Sequence, residues 1–244
     1  MILQMNEQAV HVSLGTEDTL EAVLTVPDGV TAAVLLADGT QSSVESRPFR
    51  FLAKGLNETG LATLVLNLLT TDEAANVLIA AEMRLNVGLL AERFEAGTTW
   101  LKEHVKEGPA TVGYCTSAAA SAAALVASVA RSEEVRAVVS IAGRPDLVEP
   151  ELKKVHAATL LIAADNVLPV LDANKTANAL LTCEKKLVLI SGTTQLLEDK
   201  VVLENLGTLI RDWFQHHLTP SPAGVFKEGA GARDTAAQAS APRG

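Results

Sequence analysis

The chain has 244 residues, of which 48% are hydrophobic and 3% aromatic, so we expect one α/β domain with an aliphatic core. Its formal net charge of −9 argues against general binding to nucleic acid or to an anionic membrane. The N-terminus lacks the pattern of a signal peptide, and no apolar run reaches the roughly 18 residues of a membrane helix. Together with two cysteines that suggest no disulfide framework, these features predict a cytoplasmic protein.

Hydrophobic patterning predicts alternating strands and helices along the chain. Two alternating stretches, 9–14 and 20–26, predict an antiparallel hairpin, and the apolar run 30–37 is typical of a strand buried on both faces. Further strands are predicted at 61–69, 111–115, 135–141, 159–163 and 186–190, and helices at 48–58, 78–105, 118–130, 172–181 and 201–217. This order predicts a mostly parallel, doubly wound α/β sheet with the N-terminal hairpin at an antiparallel edge.

The composition changes after this last predicted helix. Residues 219–244 are rich in Pro, Gly, Ala and Ser and contain few apolar anchors, which is typical of disordered segments. We therefore expect a folded domain over 1–218 and a disordered tail over 219–244.

The stretch from Thr111 to Ala122, TVGYCTSAAASA, passes from a β-prone run through small residues into an Ala-rich helix. This is the layout of a nucleophile elbow, the sharp strand-to-helix turn that displays a catalytic Ser or Cys. The elbow normally carries glycines on both sides of the nucleophile, and this stretch lacks that pattern. The layout therefore predicts an elbow without its usual residues.

The chain resembles the dienelactone-hydrolase-like branch of the α/β-hydrolase superfamily from about Val34 to Leu218. The blocks that carry the resemblance are GLATLVLNLLT from Gly60, VGLLAERF from Val87, VRAVVSIAGRPDL from Val135, ATLLI from Ala158 and CEKKLVLISGTT from Cys183. The resemblance implies the α/β-hydrolase fold. The chemistry of that family needs a Ser or Cys nucleophile, a His base, an acid that orients the His, and backbone donors for the oxyanion.

Matched to that branch, all three triad positions carry residues that cannot do this chemistry. Ala118 stands at the nucleophile, Val167 at the acid and Gln195 at the base. Alanine and valine offer no nucleophile or carboxylate, and glutamine does not accept a proton usefully near neutral pH. We therefore expect a catalytically degenerate member that binds a small ligand or a protein partner, with a homo-oligomer as one possibility.

An alternative places the nucleophile three residues earlier, at Cys115, in a hydrolase of esters, thioesters or lactones. Ser117 and Ser121 are further hydroxyl candidates, and Asp165 is a candidate for a displaced acid. Each also has a simple structural role as a small buried or helix-capping residue. If a ligand pocket is retained, the residues expected to line it are Asp38, Gly39, Thr40, Cys115, Thr116 and Gln195, with the Asp38 carboxylate opposing any developing oxyanion if it points inward.

No cofactor or metal is predicted. The sequence has no G-x-G-x-x-G after a strand, no Walker loop and no Cys/His zinc spacing. The five histidines are placed away from the expected catalytic edge. The adjacent pair His216-His217 is interpreted as a solvated helix end, where two basic side chains suit the helix dipole.

Overall fold

A computed structural model of the protein describes residues 5–15, 17–105 and 109–219, so the predicted tail lies outside the described residues except for Thr219. The strands are β1 (Met5–Ser13), β2 (Thr19–Pro27), β3 (Ala32–Ala37), β4 (Ala62–Leu66), β5 (Thr111–Ser117), β6 (Val135–Ile141), β7 (Ala158–Ala164) and β8 (Lys185–Ile190). They form one sheet in the order β1-β2-β4-β3-β5-β6-β7-β8.

The direction of the strands confirms the predicted topology. Strand β1 pairs antiparallel with β2, and β2 pairs antiparallel with β4. The remaining neighbours, from β4 through β3 to β8, pair in parallel. The sheet is therefore mostly parallel with an antiparallel N-terminal hairpin at one edge, the arrangement of an α/β-hydrolase.

The α-helices of the described residues are α1 (Arg47–Asn57), α2 (Thr71–Ala75), α3 (Val77–Met83), α4 (Val87–His104), α5 (Ala120–Ala130), α6 (Glu149–Leu152), α7 (Leu168–Leu180) and α8 (Lys200–Leu218). A single 3₁₀ turn, Pro145–Val148, precedes α6. The long helix predicted at 78–105 is divided in the structure. Asn76 caps α3 and Asn86 caps α4, each accepting backbone N–H groups of the helix that follows, so each asparagine begins a new helix.

Two boundaries differ from the sequence prediction in ways that matter for the site. Strand β5 continues to Ser117, two residues beyond the predicted end, and α5 begins at Ala120 rather than Ala118. Helix α7 begins at Leu168, four residues earlier than predicted, because Pro169 is well suited to a first helical turn. The short 145–152 segment, with its 3₁₀ turn and α6, was not predicted.

Two apolar layers sandwich the sheet. One contains Phe49 and Leu52 of α1 together with Ile210 and Phe214 of α8. The other contains residues of α4 and α5, including Phe94. With both faces covered, the parallel strands can be almost wholly apolar, and loops at their carboxyl ends are left to form a site. Among the described helices, none is long and apolar enough to cross a membrane.

Candidate functional site

The turn after β5 has the backbone conformation of a nucleophile elbow, and Ala118 occupies its apex. Ala118 has a φ of 49°, in the left-handed region of backbone conformation that residues other than glycine rarely adopt. Its N–H donates to the carbonyl of Ile141 at 3.3 Å, and its own carbonyl accepts from Ser121 and Arg144. These bonds tie the apex to β6 and to the loop that follows it. The strained backbone of an elbow is therefore present, with the methyl group of Ala118 at its apex.

The loop after β3 lies directly on this elbow. A Cβ atom on Gly39 would come within 2.4 Å of the Ser117 carbonyl oxygen and 2.9 Å of the Ala120 amide nitrogen. Only glycine allows so close an approach between two backbones. The loop and the elbow therefore form one packed unit.

The Asp38 carboxylate is buried and organises this loop. Its Oδ1 accepts hydrogen bonds from the Thr40 amide at 2.9 Å, the Thr40 hydroxyl at 2.7 Å and the Ser117 hydroxyl at 3.0 Å. Its Oδ2 accepts from the Ser46 hydroxyl at 3.1 Å and the Gln41 amide at 3.3 Å. Ser46 is the N-cap of α1, and its side chain bonds Asp38 instead of capping that helix. The carboxylate thus points into its own loop, and both of its oxygens accept hydrogen bonds there.

These hydrogen bonds also occupy the amides that such a loop offers to an oxyanion. In α/β-hydrolases one oxyanion donor comes from the loop after this strand. Here the Gly39 amide donates to the Ser117 hydroxyl at 3.1 Å, and the Thr40 amide donates to Asp38. Neither amide is directed at the space above Ala118. Asp38 therefore does not point into the cleft to oppose an oxyanion. Instead, the loop amides are engaged by Asp38 and Ser117.

A cleft of about 270 Å³ opens above the elbow. Of the predicted pocket residues, Asp38, Thr40 and Gln195 line it, together with Ala118. Gly39 instead lines a smaller pocket on the other side of the loop. Cys115 and Thr116 are fully buried within β5 and are not among the lining residues, which corrects that part of the prediction. The lining residues that the sequence did not indicate include Gln41, Ser117, Ala142, Thr194 and Glu198.

Gln195 and Val167, the residues predicted at the two partner positions of the triad, differ in their surroundings. Gln195 is exposed and shares the cleft with Ala118. Val167 is the N-cap of α7 and packs partly against the apolar layer of α1 and α8. The displaced-acid candidate Asp165 accepts a 2.5 Å hydrogen bond from the Ser191 hydroxyl. None of the five histidines, all within the described ranges, lines the cleft.

Cys115 lies inside β5 rather than at the turn. Its side chain has no exposed surface and belongs to the apolar layer formed with α1 and α8. Burial raises the pKa of its thiol well above the usual range, so the nucleophilic thiolate is strongly disfavoured. These observations weigh against Cys115 as the replacement nucleophile.

The two serine candidates are similarly constrained. The Ser117 hydroxyl donates to Asp38 and accepts from Gly39, so it is held within the loop network. Ser121 is fully buried in the first turn of α5, and its Oγ has no hydrogen-bond partner among the described residues. A Cβ on Gly143 would lie 2.5 Å from that Oγ, so Ser121 faces the loop after β6. Neither hydroxyl is paired with a histidine.

The fold and the elbow define an α/β-hydrolase, and the comparisons with known proteins agree. A dienelactone hydrolase from Anabaena variabilis has a crystal structure that is 40% identical in sequence, with a TM-score of 0.83; the match covers 88% of this chain and 100% of that chain. The chain belongs to the dienelactone-hydrolase-like family of the α/β-hydrolase superfamily. The dienelactone hydrolase-like phosphotriesterase P91, from metagenomic libraries, shares the fold at 13% identity, with a TM-score of 0.71 and coverage of 88% of this chain and 99% of that one.

The curated relatives are longer proteins. Two Mycobacterium tuberculosis proteins, each named "Putative phosphoribosyl transferase", are 38% identical over 205 residues, which cover 82% of this chain. The matched region is 45% of the length of each relative, so the chain spans less than half of them. The chain matches no protein-family model.

The strain at the elbow leads to a stability prediction. Replacing Ala118 with Gly is expected to raise the free energy of unfolding by about 0.5–1 kcal/mol, because glycine adopts a positive φ without steric cost. The matched control is Ala179→Gly at an exposed position in α7, which is expected to lower it by about the same amount. Urea unfolding of both variants measures the difference. Destabilisation of both would show that Ala118 is not strained in solution.

Proposed function

We propose that this protein is a non-catalytic member of its family and that the cleft above Ala118 binds a small ligand. The observation that carries the proposal is the retained elbow with a methyl group at its apex. Without a hydroxyl or thiol there, no covalent acyl intermediate forms at that position. Gln195 and Val167, at the other triad positions, are consistent with the same loss.

The lining of the cleft indicates the class of ligand. Its lining residues include the exposed Glu198 and the buried Asp38, whose carboxylate is bonded within its own loop, and no Lys or Arg is among them. An anionic group would meet the Glu198 carboxylate there, with no cation among the lining residues. Thr194 and Gln195 supply neutral donors and acceptors. A neutral or cationic small molecule therefore fits the cleft better than a phosphorylated one, and the transferase name of the longer relatives gains no support from these side chains.

A protein partner or second copy is proposed for a separate surface on α3. Val77 and Leu78 are 80% and 81% exposed, and Ile79 and Leu85 are also exposed. Neighbouring apolar side chains left in water are typical of interaction surfaces. Light scattering of the full chain, compared with a Leu78→Lys variant that places a charge on this surface, measures whether the surface joins two copies.

The proposed absence of catalysis is tested with p-nitrophenyl esters and a dienelactone, using a known dienelactone hydrolase as the assay control. We expect no turnover above the buffer rate. We also expect no specific adduct from serine-directed or thiol-directed activity probes on Ser117, Ser121 or Cys115. Turnover that disappears when Gln195 is replaced by Trp, while the protein stays folded, would overturn the proposal.

Ligand binding is tested by thermal shift against a panel of neutral and cationic metabolites. The Gln195→Trp variant fills the cleft from an exposed position, and Lys153→Trp places the same side chain on an exposed site after α6. We expect a hit to stabilise the wild type and the Lys153 variant but not the Gln195 variant. A shift that survives in both variants would place binding outside the cleft.

A further inference from the structure

Three side chains with metal-binding atoms meet far from the cleft. Glu184 immediately precedes β8, and His216 and His217 lie in the last turn of α8. One ligand atom from each lies within 4.8 Å of the others, and the Nε2 of His217 is 3.7 Å from the Oε1 of Glu184. Because β8 starts here, the cluster lies at the amino-terminal edge of the parallel strands, whereas the cleft lies at their carboxyl-terminal edge.

His217 has an unusual environment for a histidine. Its side chain is 10% exposed, and its Nε2 is buried without a hydrogen-bond partner in the part of the chain that the structure describes. The 3.7 Å separation from Glu184 is too long for a hydrogen bond. A buried nitrogen left without a partner is costly, so its position next to a carboxylate calls for a bridging group.

We propose that Glu184, His216 and His217 bind a divalent transition-metal ion, with Zn²⁺ as the best-fitting candidate. Imidazole nitrogen and carboxylate oxygen both bind Zn²⁺ at about 2.0–2.2 Å. Two such ligands on a tetrahedral ion lie about 3.4 Å apart, close to the observed separation between His217 and Glu184. Three protein ligands leave the fourth position to water.

The surroundings of the cluster favour a cation. The last turn of α8 presents the negative end of the helix dipole to both histidines. The ammonium group of Lys185, next to Glu184, donates to the Leu181 carbonyl and so is held away from the carboxylate. Glu184 is 64% exposed and His216 is exposed, so both can adjust around an ion.

A bound ion would join two elements that are otherwise weakly connected at this point. Strand β8 forms the outer edge of the sheet and is only partly buried. Helix α8 ends beside β5, where the Thr111 hydroxyl donates to the Leu218 carbonyl at 2.9 Å. The ion would fasten the residue before the edge strand to the end of the helix. The ion would therefore stabilise this edge of the sheet, and the proposal is independent of the proposed loss of catalysis.

The test uses the full chain without an affinity tag. Zn²⁺ is titrated by calorimetry into the wild type and into Glu184→Gln, His216→Ala and His217→Gln. We expect one Zn²⁺ per chain, with the dissociation constant raised at least about tenfold in each variant. His104→Ala and His156→Ala serve as controls and are expected to bind as the wild type does. Because Glu184 and His216 are exposed, those two variants decide the outcome even if His217→Gln unfolds.

Trp213 provides a second readout, since its ring centroid lies 4.3 Å from that of His217. In a Trp100→Phe background, which removes the other tryptophan, Cu²⁺ or Ni²⁺ is expected to quench the Trp213 fluorescence. The quenching should require Glu184 and His216. Zn²⁺ binding that is unchanged in Glu184→Gln and His216→Ala, or that is equally weakened in His104→Ala, would overturn the proposal. Quenching that persists in Glu184→Gln and His216→Ala would overturn it as well.

Discussion

Replacing Asp38 with Ala is expected to lower the free energy of unfolding by about 2–4 kcal/mol, since hydrogen bonds to a buried charged group are worth about 1.5–3 kcal/mol each and are not additive. The carboxylate is 4% exposed and accepts from Thr40, Gln41, Ser46 and Ser117. Its removal leaves the buried hydroxyls of Ser46 and Ser117 without their acceptor. Urea unfolding at neutral pH measures the loss.

Two further variants separate this effect from simple loss of a loop side chain. Asp38→Asn keeps one acceptor oxygen but replaces the other with a donor, so we expect a smaller loss than for alanine. Gln41→Ala removes an exposed partner that is bonded at 3.3 Å and is expected to cost less than about 0.5 kcal/mol. Equal effects of Asp38→Ala and Gln41→Ala would contradict the central role given to the carboxylate.

The Asp38 variant also bears on the cleft. Without the carboxylate, the Thr40 amide loses its acceptor and the Ser117 hydroxyl loses one of its two partners. Any ligand whose binding depends on the shape of this loop should then bind more weakly. The same buried carboxylate thus links the stability of the loop to the form of the cleft.

The sequence was sufficient for most of the fold because the central strands are continuous apolar runs. Strand β3, for example, is buried at every position, as are β4 and β7. Helix boundaries were less predictable. The division of 71–104 into α2, α3 and α4 depends on asparagine side chains at 76 and 86 that bond the backbone locally, an alternative that hydrophobic periodicity does not detect.

The elbow could be located from the sequence, but the burial and hydrogen bonding of the side chains around it could not. The reading with Cys115 as nucleophile requires the strand to end there, and the structure extends β5 to Ser117 and buries the thiol. The direction of the Asp38 carboxylate depends on Ser117, which is 79 residues away in the chain. Likewise, Glu184 meets the two histidines at the end of α8 only through the tertiary packing of that helix on the sheet. Such contacts have no sequence spacing from which they can be inferred.

The buried ion pair between Arg93 and Glu73 gives the second large expected effect. Arg93 of α4 is 4% exposed and binds both carboxylate oxygens of Glu73, at 2.6 and 2.7 Å. It also donates to the Leu68 carbonyl at 2.5 Å. Glu73 in turn completes the capping box of α2 with Thr70. Arg93 therefore connects three parts of the chain: its own helix α4, the loop after β4 at Leu68, and the start of α2.

Replacing Glu73 with Gln is expected to lower the free energy of unfolding by about 2–3 kcal/mol, because it leaves the Arg93 charge buried without its counter-ion. The estimate is below the about 3–5 kcal/mol of a fully buried pair because the Glu73 side chain is 23% exposed. As a control, Glu7→Gln breaks an exposed pair with Arg50 and is expected to cost no more than about 0.5 kcal/mol.

The pH dependence distinguishes loss of charge from loss of shape. The hydrogen bonds from Arg93 hold the pKa of Glu73 below its ordinary value of 4.5, despite the opposing effect of burial. The pair therefore contributes fully above the unfolded-state pKa, and its contribution is lost as the pH falls through the lowered pKa of the folded state. Urea unfolding at pH 7 and at about pH 3 should show the wild type and Glu73→Gln converging in acid. A difference that stays constant across this range would mean that the charge of Glu73 contributes nothing, and that the variant acts only through its altered contacts with Thr70.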